Sequence, residues 1–226
     1  MPVKKSAAEA FESIGRLQPG EIVVVEHTSL DPFHLAVLLV MASRGKDMHI
    51  AVADVFDQLH VVRSHLAIMG IDIGLIDDVP VVKFGGMLTT GNVIRRISIL
   101  DTPTMWQMEY RDALEGIPEP RLVLTLGFEQ LITIKPEVPP STMCRLFMMP
   151  SMGTGGEVNV IFVNSDMLTE NALEDIRELA SRVFRLGLIK NMLTLTVVKS
   201  LSLKHYGRVL AVDALELTDY LRQAKG

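Results

Sequence analysis

Short apolar runs alternate with helix-like patterns along most of the chain. The run IVVVE at 22–26 is continuous and rich in β-branched residues, which is typical of a strand covered on both faces of a parallel sheet. Further runs that predict strands lie at 48–54, 79–84, 93–100, 121–126 and 157–164. The sequence therefore predicts a largely buried sheet with helices between its strands.

Helix signals fill the intervals between these runs. Asp31 is a suitable N-cap and Pro32 suits the first helical position, so a helix is expected from about Pro32 to Ser43. The spacing of apolar residues also predicts a long amphipathic helix over 168–186. A capping pattern at Ser6 predicts a short helix over 6–16, within an N-terminal helical segment at 1–18.

The end of the chain carries two more apolar runs joined by a basic turn. Residues 192–200 and 208–217 predict an antiparallel strand pair that spans 192–217. Together with the preceding alternation, this predicts a three-layer α/β/α fold with a mostly parallel sheet and a C-terminal antiparallel pair. No linker separates two independent cores, so residues 1–226 are expected to form a single domain.

Composition narrows the classes of protein that fit. Hydrophobic residues make up 48% of the 226 and charged residues 22%, which is typical of a globular chain. The net charge of −5 does not favour a nucleic-acid binder, and the single cysteine, Cys144, excludes a disulfide framework and a multi-cysteine zinc site. The longest apolar run, Leu35–Ala42, is far shorter than a membrane span, and no secretory signal is visible, so a cytoplasmic protein without membrane contact is expected.

Ligands of such sheets bind beyond the carboxyl ends of the parallel strands. The loop after the first long strand runs into a helix N-terminus there, which favours anions, but it has no glycine for a phosphate cradle. The sequence thus indicates a crevice whose candidate ligand-binding residues are His27, Thr28, Ser29, Asp31, His34 and Asp54. No catalytic residue and no metal ligand is assigned among them.

The segment GEIVVVEHTSLDPFHLAVLLVMASRGKDMHIAVAD resembles the opening of a RecA/KaiC-type ATPase domain, with its strand, P-loop, helix and second strand. When the two are laid together without gaps, the P-loop glycines fall on His27, Leu30 and Pro32. The phosphate-binding lysine falls on Phe33 and the magnesium-binding hydroxyl residue on His34. The resemblance therefore implies a degenerate P-loop.

Later segments follow the same plan. RLVLTLGFEQL resembles the strand that carries the magnesium-orienting aspartate, but Leu126 and Gly127 stand in its place. TVVKSLSLKHYGRVLAV resembles the segment with a Lys-x-Arg sensor, in which Lys199 matches the lysine and Leu201 replaces the arginine. The resemblance covers most of 15–217 without a diagnostic motif, and the chain is identified as a member of an uncharacterised family of small RecA-like proteins from hyperthermophilic archaea.

The resemblance implies a non-catalytic descendant of the ATPase core, because ATP hydrolysis by the usual route needs the residues that are missing. Such a protein is expected to act in interaction or regulation, by self-association or by pairing with an active ATPase paralogue, and without a cofactor. The sheet survives the loss of its active loop because stability comes from the core.

Two alternatives remain open. One is an enzyme of different chemistry that uses His27, Asp31, His34 and Asp54 around a metal ion or a phosphate-bearing substrate. A helix cap with incidental histidines explains the same residues, since a functional metal site usually gathers three convergent ligands. The other alternative is weak nucleic-acid binding through the basic turn of the C-terminal hairpin, which lacks an aromatic stacking platform.

Overall fold

The computed structural model describes residues 3–4, 17–44, 48–153 and 155–223. Within these ranges the strands are β1 (Val3–Lys4), β2 (Ile22–His27), β3 (His49–Val55), β4 (Pro80–Phe84), β5 (Asn92–Ile97), β6 (Arg121–Leu126), β7 (Glu157–Asn164), β8 (Arg182–Ile189), β9 (Met192–Lys199) and β10 (Val209–Asp213). The α-helices are α1 (Phe33–Arg44), α2 (Gln58–Ile68), α3 (Gly74–Asp77), α4 (Pro103–Glu115), α5 (Phe128–Ile134), α6 (Pro140–Met148), α7 (Glu170–Leu179) and α8 (Ala214–Gln223). The helix expected over 6–16 lies outside the described residues, and the short strand β1 falls within the helical segment expected over 1–18.

The strands form one sheet in the order β1-β10-β9-β8-β2-β7-β6-β3-β4-β5. Every neighbouring pair from β8 to β5 is parallel. β9 runs antiparallel to both β8 and β10. The expected mostly parallel sheet with an antiparallel C-terminal strand pair is confirmed.

Helices cover both faces of this sheet. On one face the core joins Val23 and Val25 of β2 to apolar residues of α1, α2 and α8. On the other face Ile22 and Val24 pack in the core that includes Trp106 of α4 and residues of α5, α6 and α7. Because successive strand residues point to opposite faces, the continuous run of β2 supplies both cores. The three-layer α/β/α architecture is therefore confirmed.

The helix predicted over 168–186 is wrong in its second half. α7 ends at Leu179, and β8 begins at Arg182 and pairs with β2. Ser181 makes the transition, since its Oγ donates to the Ile22 carbonyl at 2.7 Å and accepts from the Ile22 N–H at 3.1 Å. No glycine or proline marks this break, and the helical spacing of apolar residues continues across it by coincidence.

The strand pair predicted over 192–217 is too long at its end. β10 stops at Asp213, where α8 begins. The Asp213 Oδ1 accepts from the N–H groups of Leu215 and Glu216, so this carboxylate caps the helix. No helix among the described residues is both long and apolar enough to cross a membrane.

Candidate functional site

The carboxyl ends of the parallel strands meet at one edge of the sheet, where the loop of residues 28–32 joins β2 to α1. His27 ends β2 and is buried, and its ring stacks on Phe33 with the centroids 4.6 Å apart. The His27 Nδ1 lies 3.0 Å from the Thr28 carbonyl oxygen. An aromatic ring thus closes over the position where a P-loop would turn toward a phosphate.

The loop uses its own N–H groups. Asp31 Oδ2 accepts from both the N–H and the hydroxyl of Thr28, at 2.7 and 2.8 Å. Asp166 Oδ2 accepts from the Ser29 N–H at 2.9 Å. The N–H of Leu30 donates to the Thr28 hydroxyl, and that of Asp31 donates to the Thr28 carbonyl. Two carboxylates of the protein therefore occupy donors that an anion would need.

The end of β7 completes this loop. Asn164 donates through Nδ2 to the Ser29 hydroxyl at 3.0 Å and accepts at Oδ1 from the Asp166 N–H at 3.1 Å. Ser165 donates through Oγ to the His27 carbonyl at 3.0 Å. Sequence reasoning missed Asn164 and Asp166, although the step from an apolar strand into NSD is a recognisable polar turn.

The histidines of the crevice are held neutral. His34 lies in the first turn of α1, edge-on to His65 of α2 with ring centroids 5.1 Å apart. Burial, followed by the neighbouring charge of His65, lowers the pKa of His34 to about 4. Burial also lowers the pKa of His27, against the opposing effects of Thr28 and nearby carboxylates. Neither imidazole supplies a positive charge to a phosphate at pH 7.

Asp54 lies apart from the other five candidate residues. It belongs to β3, and the strands β7 and β6 separate β3 from β2 in the sheet. Asp54 is fully buried, and its Oδ1 accepts from the Leu59 N–H at 2.9 Å at the start of α2. Its capping role, weighed from the sequence, is what the structure places there.

A buried ion cluster surrounds this second position. Lys83 of β4 is the cross-strand neighbour of Asp54, and its Nζ lies 2.7 Å from Asp54 Oδ2 and 2.5 Å from Asp57 Oδ1. Asp57 also accepts from the N–H groups of Met87 and Leu88. Although partial burial opposes it, the bonds from Lys83 and these N–H groups lower the pKa of Asp57. Sequence reasoning missed Lys83, whose signal is a lone lysine inside the apolar run VPVVKF.

Glu129 is a further buried carboxyl group near this edge. It lies in the first turn of α5, is 3% exposed, and its Oε2 lies 3.4 Å from the Asn164 N–H nitrogen. Burial raises the pKa of Glu129 to about 7. No cation within the described residues forms an ion pair with it.

Lys199, which matches the sensor lysine of the resemblance, has a structural role. Its Nζ donates to the carbonyls of Arg177 and Glu178, at 2.7 and 3.0 Å. These carbonyls lie in the last turn of α7, so the ammonium group caps the negative end of the helix. The described part of the chain also holds no group of three or more His, Cys, Asp or Glu that could bind a metal ion.

Solved structures define the class of this fold. A Pyrococcus horikoshii OT3 protein, project PH0250, superposes with a TM-score of 0.75 at 20% identity, covering 91% of this chain and 98% of that one. FlaH, the flagellar accessory protein of Methanocaldococcus jannaschii, gives 0.57 at 15%, covering 87% and 86%. A third solved structure, an ATPase domain, gives 0.57 at 10%, covering 92% and 91%. The fold is therefore RecA-like.

The family follows from the sequence itself. Residues 12–211 match the family described as "Pyrococcus protein of unknown function, DUF257", and the chain belongs to it. No curated protein matches the chain significantly. The expected membership of an archaeal, RecA-like family of unknown function is thus confirmed.

Proposed function

We propose that this chain is a non-catalytic RecA-like protein that acts through association with other protein chains. One observation carries the proposal: the loop after β2 is closed on itself by the carboxylates of Asp31 and Asp166. A nucleotide phosphate would have to displace both carboxylates from their N–H donors and would meet their negative charge. No lysine of the loop is present to compensate.

The experiment is a titration of the full chain with a fluorescent ATP analogue and Mg²⁺, together with an assay of phosphate release. Because the loop donors are occupied, we expect no binding up to about 1 mM, which corresponds to roughly 4 kcal/mol. Asp31→Asn and His34→Ala should leave this result unchanged, and the exposed Glu174→Gln serves as the matched control. Phosphate release that the two loop variants abolish and Glu174→Gln retains would overturn the proposal.

The competing prediction is an enzyme that holds a metal ion or a phosphate-bearing substrate near His27, Asp31 and His34. Thermal unfolding with divalent metals and with inorganic phosphate tests it directly. A ligand at 100 times its dissociation constant would stabilise the fold by roughly 2.7 kcal/mol. Since both histidines are neutral and no three ligand residues converge within the described ranges, we expect no shift with any of these ligands. A shift that disappears in His27→Ala and His34→Ala would favour the enzyme.

The second competing prediction, nucleic-acid binding by the C-terminal hairpin, is weakened by the position of Lys199. Its ammonium group is bound to helix carbonyls and is not available to a phosphate backbone. Lys204, His205 and Arg208 remain for such a contact, without an adjacent aromatic platform.

A further inference from the structure

A large groove lies at the edge of the sheet opposite to the candidate site. It has a volume of about 860 Å³ and follows the amino ends of β3 and β4, between α1, α3 and α4. Leu38, Val79 and Ile117 form a buried apolar floor. This volume lies in the range of binding sites for compact ligands and short side-chain clusters. We call it the amino-edge groove.

The rim of the amino-edge groove is acidic. Asp72, Asp78 and Asp112 line it, opposed by a single arginine, Arg95. All four side chains are exposed, and none of them takes part in an ion pair with another described residue. The groove therefore fits an occupant with an apolar body and positive charges at its margin.

A segment of the same chain has that chemistry. Residues 200–208, which we call the basic loop, connect β9 to β10. Leu203 is 87% exposed, Leu201 is 71% exposed and Tyr206 is about half exposed. Lys204 and Arg208 are also exposed and form no ion pair with the described residues. Adjacent exposed leucines flanked by cations are typical of a contact surface.

The basic loop has a defined shape. A short 3₁₀ turn at Leu203–His205 presents the side chains, and the Gly207 N–H donates to the Val197 carbonyl at 2.9 Å. The Ser202 N–H donates to the Ser200 hydroxyl at 3.1 Å. Because the backbone is already held, docking would cost less conformational entropy than ordering a free segment.

We propose that the basic loop of one copy of this chain docks into the amino-edge groove of a second copy. The leucines would cover the apolar floor, while Lys204 and Arg208 meet the rim carboxylates of Asp78 and Asp112. This inference rests on the proposed function and names the partner and the surfaces of that association. The complementary charges of the two surfaces favour a second copy over an unrelated chain.

The positions of the two surfaces also determine the type of assembly. β9 and β10 lie toward one end of the sheet and β3 to β5 form the other end. The basic loop and the groove are both at the amino edge, because β9 runs antiparallel to β8. One copy therefore cannot fill its own groove, and the contact is head-to-tail. Such contacts build rings if they close and filaments if they do not.

Sedimentation of the full chain over a range of concentrations tests this contact. The wild type should associate, and association should weaken as salt is raised. Lys204→Glu with Arg208→Glu reverses the loop, and Asp78→Lys with Asp112→Lys reverses the rim. Each double variant should raise the dissociation constant by roughly tenfold or more, because like charges then face each other.

Mixing provides the decisive arm. The loop-reversed chain has an acidic loop and an acidic rim, whereas the rim-reversed chain has both basic, so the mixture restores each contact. We expect neither chain to associate alone and the mixture to associate. Glu137→Lys with Glu174→Lys changes the net charge as the rim variant does, at exposed sites outside the groove, and should behave as wild type. Circular dichroism of each chain confirms folding.

Two results would overturn the inference. A wild type that stays monomeric at every concentration shows that the loop does not enter the groove. Association that survives both reversals shows that another surface is used, and the proposed association with protein chains would then stand without this contact. Failure of the proposed function itself appears elsewhere, as nucleotide turnover in the phosphate-release assay.

Discussion

Replacement of Lys83 by methionine should destabilise the protein by about 3–5 kcal/mol. The side chain is 1% exposed and its ammonium group neutralises Asp54, which is fully buried. Removal of the lysine leaves the Asp54 carboxylate in the interior without a counter-ion, and an uncompensated buried charge is strongly unfavourable. In a chain of this length, that loss lowers Tm by roughly 10 °C. Urea unfolding followed by circular dichroism measures it.

The double variant Asp54→Asn with Lys83→Met is the internal control. It removes both charges, while the asparagine side-chain oxygen still accepts from the Leu59 N–H, so most of the lost stability should return. The exposed Lys190→Met should change stability by less than about 0.5 kcal/mol. The ion cluster is not important for stability if Lys83→Met unfolds at the wild-type urea concentration.

The second large effect is expected at Glu129 and depends on pH. The pKa of this carboxyl is raised from an ordinary value of 4.5 to about 7, because burial disfavours its charged form. The folded state therefore binds the proton more tightly than the unfolded state, and the favourable contribution below pH 4.5 is lost as the pH rises through 7. Glu129→Gln removes this titration, so at pH 8 the variant should exceed the wild type by about 3 kcal/mol.

Urea unfolding of both proteins from pH 4.5 to pH 8 measures the difference. The difference should be small at the acid end and grow toward pH 8, and the contributions of all other titrating groups cancel in the comparison. Glu137→Gln, which changes an exposed carboxyl nearby in the sequence, should show no such trend. A difference between Glu129→Gln and wild type that is constant with pH would contradict the raised pKa.

Local patterns predicted the architecture well because the signals for most elements are local. Continuous β-branched runs identified the parallel strands, and the Asp31–Pro32 pair marked the start of α1 within one residue. β8 was missed because its boundary is set by contact with β2 through Ser181, a residue distant in the sequence. The end of β10 carried a local signal, the capping Asp213 with Glu216 three residues later, that the apolar spacing concealed.

The candidate site was predicted less completely, for a physical reason. The loop residues His27 to Asp31 follow directly from the position of a strand end. Their partners Asn164 and Asp166 come from the end of β7, and only the strand order brings them close. Asp54 was grouped with the loop because it also ends a strand, but the sequence does not tell how many strands lie between β2 and β3.

The central position of β2 has a consequence for how the chain is made. Its two neighbours in the sheet are β7 and β8, and Ile22 finds its partner Ser181 across 159 positions of sequence. At about 5–20 residues per second, the ribosome needs on the order of 10–30 s to supply them. During that interval both edges of an intensely apolar strand are unpaired, which favours aggregation. The nascent chain thus depends on shielding until translation passes β8, and fragments ending before Glu157 have no native partner for their most hydrophobic strand.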